Sequence, residues 1–311
     1  MITILTFGKN HIKQAKTLAL AAYNQERAIV TALPYVDEIP DKACEGFADN
    51  GLGVAMMEGD RLLGFLCCDD PRNNAFGTTA TGTFVPTYAH GAVSENRGSI
   101  YKRLYQAAAE IWVAKGITYH AIALYHHDLQ AKDALFTCGF GLRCVDAVRP
   151  MENLQQSTCE DVAYARLDKE DVAKIRDMRI ALSHHLSSSP SFMCISPERQ
   201  ESWIKSAENR DSQVFVALMG DEIAAFIEVI EDGENLATWE DEMLNICGAY
   251  CLPKHRGKGI TEGLLNHTIT QLKSDDITSL GVDFEGFNLT ASGFWLKYFT
   301  AYTATVTRRI N

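Results

Sequence analysis

Residues 249–261 read Ala-Tyr-Cys-Leu-Pro-Lys-His-Arg-Gly-Lys-Gly-Ile-Thr, an apolar strand running into a glycine-rich basic loop that opens a helix. An anion is the ligand such an order of residue types suits. Gly257 and Gly259 let the backbone come close to a ligand, and the N–H groups at the helix start face it with the positive end of the helix dipole. Arg256 and Lys258 add formal charge. A pyrophosphate meets this loop better than a neutral group does. Spacing separates the phosphate-loop types. A Walker A loop needs Gly-Lys-Ser/Thr, but Gly257-Lys258 is followed by Gly259 and no glycine precedes at the required distance. A dinucleotide fingerprint needs a third glycine where Glu262 stands, and a βαβ unit near the start of a parallel domain. A solvated basic turn with two flexible glycines is the plain alternative.

A second run follows, Asn288-Leu289-Thr290-Ala291-Ser292-Gly293-Phe294-Trp295-Leu296-Lys297. Together, and in this order, the two runs resemble the GNAT acyltransferases. Arg256 to Thr261 is similar to the family's Arg/Gln-x-x-Gly-x-Gly/Ala loop, with Pro253 in the usual lead-in, and Asn288 to Lys297 is similar to its Asn-x-x-Ala-x-x-Leu/Phe-Tyr-x-Lys helix. Thr261 departs from the usual Gly or Ala, Trp295 holds the usual place of a catalytic Tyr, and Phe299 replaces a Gly before the last strand. The resemblance covers the C-terminal half well and the N-terminal half in outline.

The resemblance implies acetyl-CoA as co-substrate, no metal, and direct attack on the thioester by a primary amine borne by a small molecule or a peptide. It implies that Ala249, Tyr250 and Cys251 offer backbone groups to pantetheine, that Arg256, Gly257, Lys258, Gly259, Ile260 and Thr261 hold the pyrophosphate, and that Asn288 supports the pantetheine arm. The amine must lose a proton, so a carboxylate near the sheet opening is the expected general base. Asp283 is the first candidate; Glu285 and Glu242 are alternates, each read singly as a solvated or structural carboxylate. Tyr298 is the candidate acid for the departing thiolate. Cys251 has only His255 near it in sequence to activate it, and reads as an inert strand thiol. A non-catalytic CoA-binding or scaffold protein of the same fold is the alternative, motivated by Trp295.

An internal repeat supplies the elements that position these residues. At an offset of 160 residues Ile100 meets Ile260, Leu104 meets Leu264, Leu129 meets Leu289, Ala131 meets Ala291 and Arg149 meets Arg309. Upstream, Gly59-Asp60-Arg61-Leu62 answers Gly220-Asp221-Glu222-Ile223, a Gly-Asp turn between apolar runs and so a hairpin in each half. Each half reads as strand, helical stretch, hairpin, a third apolar segment, helix, strand, short helix and final strand, the last at 142–149 and 302–309. The predicted class is α/β (α+β): two tandem GNAT-like domains, each a mixed, mostly antiparallel sheet flanked by helices. Residues 1–150 form a degenerate domain, structural or dimer-forming, and 157–311 carry the acyl-CoA site, with a join at 148–156. The register of the loop in the first half is Asn96-Arg97-Gly98-Ser99, which lacks the leading Arg and the matched glycines. Asp128 there reads as a helix N-cap.

Composition narrows the rest. The 311 residues are 46% hydrophobic with a formal net charge of −11, which opposes binding to a nucleic-acid backbone. The apolar stretches fall far short of a membrane span, and the N-terminus lacks the pattern of a secretory signal, so a cytoplasmic protein is expected. Nine cysteines without C-x-x-C pairs suggest buried thiols. His126-His127-Asp128 and His184-His185 lack a third spaced ligand and are not read as metal sites; His184, His185 and Trp203 fall in the region that lines the acceptor pocket in the family.

Overall fold

The computed structural model describes residues 1–155, 159, 161–231, 233, 235–273 and 277–311. Gln156, in the expected join, and Ser157, the first residue of the expected second domain, lie outside them. The chain forms two compact units. The first holds Met1–Asp146, a short piece at 235–237 and Ala301–Asn311; the second holds residues 147–233 and Thr238–Thr300.

In the first unit β1 (Ile2–Thr6) leads into α1 (Ile12–Ile29) and α2 (Asp41–Asp49). The hairpin follows as β2 (Val54–Glu58) and β3 (Arg61–Leu66), joined by Gly59-Asp60 with Gly59 at φ +58°. The third apolar segment is broken in two. β4 (Gly82–Val85) runs parallel to β6 (Tyr119–Tyr125), whereas β5 (His90–Ala92) leaves it for β3. Between them α3 (Arg97–Ala114) buries Ile100, Leu104, Ala108 and Trp112 at every fourth residue, with Tyr101 and Tyr105 beside them. That stripe is what a helix laid on a sheet requires. α4 (Leu129–Thr137) is capped by Asp128, whose carboxylate accepts the Ala131 N–H. β7 (Gly141–Pro150) follows, and the boundary between the units falls inside it.

The second unit repeats the plan: β8 (Ala163–Arg166), α5 (Arg176–Ser187), α6 (Pro197–Asn209), the hairpin β9 (Gln213–Met219) and β10 (Glu222–Ile230), β11 (Met243–Cys251), α7 (Ile260–Leu272), β12 (Ser279–Glu285) and α8 (Leu289–Trp295). β8 to β11 are antiparallel and β11 runs parallel to β12. Val172, Ile175 and Met178 pack on Val214, Val216 and Phe226, closing one face of the sheet. A buried ion pair, Arg179 to Glu228 at 2.9 Å, ties α5 to β10, and the Ser212 hydroxyl donates to the same carboxylate at 2.9 Å.

Two features differ from the sequence reading. α2 was not expected, because it is short and follows a Pro-containing stretch that reads as loop, and the helical region expected around Trp203 forms a helix of its own, α6. The last strands, β13 (Thr300–Ala301) and β14 (Thr303–Arg309), were expected to finish the second half, yet β14 belongs to the first unit, paired antiparallel with β6 from Thr303↔Tyr125 to Arg309↔Tyr119 and with the first residues of β7. A strand pattern states that a segment will pair; it does not name the partner.

Candidate active site

In the second unit β11 changes partners, and the site is built at that change. It pairs with β12 only from Met243↔Ser279 to Ile246↔Val282, but with β10 as far as Cys251↔Ala225. The register slips around Cys247, since Glu228 faces Gly248 and Val229 faces Ile246. Among the described residues, no strand pairs with the β12 side of β11 from Gly248 on, and an extended amide chain can use those peptide groups.

The loop after β11 is held from below. His255 is buried with Nε2 3.0 Å from Glu222 Oε2, and Lys254 Nζ lies 2.7 Å from Oε1 of the same carboxylate. These two bonds hold Glu222's carboxyl below its ordinary range. The Arg256 Nε–H donates to the Cys251 carbonyl at 3.0 Å and its guanidinium lies over the Tyr250 ring, 5.2 Å from its centre. Gly257 and Gly259 sit at φ +74° and +78°, where a β-carbon is strained. A β-carbon on Gly257 would meet nothing within 4 Å, so that backbone is open to a ligand. Gly259 is the N-cap of α7 and supplies no side-chain acceptor; the first intrahelical bond is Gly263 N–H to Gly259 C=O at 2.9 Å. The donors ahead of it face outward.

A cavity of about 570 Å³ lies over this turn. The structure brings Ala249, Tyr250, Cys251, Arg256, Gly257, Gly259, Ile260, Thr261, Asn288 and Tyr298 onto its wall. Lys258 is not on the wall; its carbonyl accepts from the Cys159 thiol at 2.8 Å. Asn288 is buried and caps α8 through Oδ1, which accepts the Ala291 N–H and the Thr290 hydroxyl. Trp295 is buried against Phe294 and Phe299 and reaches the cavity.

Asp283 and Glu285 are not on the cavity wall. Asp283 is exposed and is the first residue of β12 past the last parallel pair, near Cys247, whose thiol is pushed up to about 12 chiefly by burial, with Glu228 and Asp283 adding to it. It stands at the mouth of the opening. Glu242 lies at the other end of β11, where its carbonyl accepts the Thr278 N–H; that alternate base is too far from the cavity to serve.

Burial, then Glu262, raises the Tyr298 phenol above its ordinary value. Cys251 is also raised, first by burial, and His255 is committed to Glu222, so no thiolate is prepared there. Glu262 and His185 complete the wall. Glu262 was missed because a Glu at the third helical position reads as start-of-helix chemistry. His185 Nε2 lies 3.2 Å from Thr290 Oγ1 and its ring 6.4 Å from Tyr250, while His184 and Trp203 are exposed and off this cavity. Among the described residues no group of three or more His, Cys, Asp or Glu is placed to hold a metal ion, and no helix is long and apolar enough to cross a membrane.

Residues 180–299 match the acetyltransferase (GNAT) family. No curated protein sequence matches the chain. A GCN5-related N-acetyltransferase from Sphaerobacter thermophilus shares the fold with a TM-score of 0.62 at 12% identity, over 99% of this chain and 95% of that one. The glucosamine N-acetyltransferase region of a fungal multi-domain GH3 β-N-acetylglucosaminidase has a TM-score of 0.54 at 12% identity, over 99% of this chain and 38% of that one. A tandem GNAT protein from the clavulanic acid biosynthesis pathway has a TM-score of 0.49 at 12% identity, covering 99% and 98% of the two chains. The structural likeness shows the fold, and the stretch that matches the family, residues 180–299, lies within the second unit.

Proposed function

We propose that the second unit moves an acetyl group from acetyl-CoA to a primary amine. The observation that carries this reading is the glycine loop opening α7 at the point where β11 parts from β12, with one cavity over both. When bound, acetyl-CoA supplies a thioester whose acyl carbon forms a bond to the amine nitrogen as the C–S bond breaks. The residues present fit it. The outward N–H groups at 260–262 and the Arg256 guanidinium hold the pyrophosphate. The open edge of β11 at Gly248–Cys251 pairs with the pantetheine amides, and one of its N–H groups polarises the carbonyl. Asn288 Nδ2 faces the arm, Oδ1 being used in the cap.

Asp283, directly or through water, takes the proton from the ammonium, with Glu285 as its alternate. Tyr298, kept protonated by its surroundings, gives one to the sulfur. The acidic excess of the chain falls in the second unit, which suits a cationic acceptor. A binding-only reading is favoured by one observation, the buried Trp295 at the family's tyrosine position. Calorimetry with acetyl-CoA and a thiol-release assay over a panel of amines test both. Saturable binding with amine-dependent release of thiol supports transfer, binding without release supports the second reading, and no binding by folded protein ends both.

A further inference from the structure

Moving an acyl group to an ammonium-bearing acceptor removes two protons from one nitrogen. A protonated primary amine carries three N–H protons and the amide keeps a single one. Asp283, at the mouth of the opening, accounts for the first, taken before attack. The second leaves as the C–N bond forms, inside the cavity, and neither Asp283 nor Glu285 is on its wall. A second proton acceptor must therefore come from the wall itself.

His185, half-buried on that wall, is oriented by a chain of hydrogen bonds whose donors can be assigned. The Ala291 N–H, a donor only, faces the Asn288 side chain at 3.4 Å, so the atom there is Oδ1. The Thr290 hydroxyl lies 2.8 Å from the same oxygen and donates to it. With its one proton spent, Thr290 Oγ1 accepts, and His185 Nε2 at 3.2 Å is the donor. The neutral ring thus carries its proton on Nε2 and keeps a lone pair on Nδ1. Among the described residues Nδ1 has no hydrogen-bond partner, and no carboxylate bonds to the ring. His185 also stands in the last turn of α5, where the helix dipole favours a positive charge and so the protonated ring.

The other groups on the wall are committed elsewhere. His255 is held on Glu222, Glu262 lies against the Tyr298 hydroxyl at the start of α7, and burial keeps the Cys251 thiol protonated. We infer that His185 is a second base of the reaction, taking on Nδ1 the proton that leaves the nitrogen as the C–N bond forms, with Thr290 and Asn288 as positioning residues. This rests on the proposed transfer to an amine. The electron pair of the amine makes the C–N bond, and the C–S pair leaves with the sulfur, which Tyr298 protonates. Asp283 and His185 hold the two protons lost from nitrogen; one replaces the proton given by Tyr298 and the other goes to solvent. Ammonium and thioester thus give amide, thiol and one free proton.

Nitrogen-15 NMR of the full chain without ligand tests the geometry, with the His185 ring assigned by its loss in His185→Ala. Above the pH at which that ring titrates, the proton should be on Nε2 and Nδ1 bare, and Thr290→Val should no longer hold a single tautomer. A proton on Nδ1, or a tautomer unmoved by Thr290→Val, overturns the inference. The chemistry is tested by thiol release from acetyl-CoA with benzylamine, spermidine and glucosamine as acceptors. His185→Ala should lower kcat roughly 10²-fold, with acetyl-CoA affinity by calorimetry retained, and added imidazole should restore part of the rate. A residue that only shaped the pocket would not be rescued. Full rate in His185→Ala, or a loss that imidazole does not repair, overturns the inference and leaves acetyl transfer standing. No release by the unaltered chain with any of the amines ends the transfer reading, and this inference with it. If the alanine variant does not fold, His185→Gln, whose amide still donates to Thr290 but takes no proton, must show the same loss.

Discussion

At the scale of single residues, the two halves differ where chemistry would occur. Arg256, Gly257 and Gly259 answer Asn96, Arg97 and Ser99, and only one of the two loops has glycines at those positions. Gly259→Glu places a carboxylate at the phosphate position and strains a backbone held at φ +78°. Titration calorimetry should show acetyl-CoA binding lost in Gly259→Glu and little changed in Ser99→Glu; the reverse pattern would put the site in the wrong half. Asp283→Asn should lower kcat by roughly 10²–10⁴, the usual contribution of a general base, with acetyl-CoA affinity retained. Tyr298 titrates above the ordinary phenol value, so an acid at this position is lost only on the alkaline side. The rate should hold through neutrality and fall above about pH 10, and a pH–rate profile of Tyr298→Phe should be lower and lack that fall. The loop and the Asn288 helix could be read from local residues because their backbone geometry is local. Glu262 could not, since it hides within a helix start, and His185, which arrives from α5, was placed near the pocket only by the family resemblance.

One contact between elements in each unit shows how a sheet is held where its pairing is interrupted. Arg179 on α5 and Glu228 on β10, at the slip in register, are 1% and 3% exposed. Arg179→Met leaves a buried carboxylate without its counter-charge and should cost the second unit about 3–5 kcal/mol in denaturant unfolding. The double variant Arg179→Met/Glu228→Gln should recover much of that loss, which separates an unpaired charge from a packing defect. In the first unit, His90 bridges the gap that β5 leaves beside β6, bonded to Ala123 and, at 2.7 Å, to Tyr101. Burial lowers its pKa to about 4 from 6.5. Between those values the unfolded chain binds the proton and the folded chain does not, so stability present above pH 6.5 is lost as pH falls, by roughly 3 kcal/mol at most. Thermal scans at pH 7 and 5 should show a smaller difference in His90→Gln than in the parent. The hairpins and amphipathic helices were legible because each imposes its own periodicity. The interruption between β4 and β5 was not: Thr83 to Val93 was read as one segment, although Pro86, which has no N–H to give to a ladder, stands directly after the last residue of β4.

At the scale of the molecule, the duplication was legible and the ownership of the last strand was not. β14 supplies a pairing partner to both β6 and β7. Deleting residues 301–311 should therefore expose two strand edges inside the first unit, and hydrogen exchange should show β6 amides losing protection while α7 amides keep theirs. Equal loss in both would mean that the second unit does not stand by itself.

The placement of β14 also bears on the order in which the protein is made. Tyr125 and Thr303, paired in the finished sheet, are separated by roughly 180 residues, an entropically late contact even for a free chain. During translation it is later still. While the ribosome is producing the second unit, the first has been out of the tunnel for many seconds with β6 and β7 lacking the strand between them, at about 5–20 residues per second. The half that emerges first is thus the last to be completed, and in that interval its open strands are where a chaperone, or a neighbouring nascent copy, would find it.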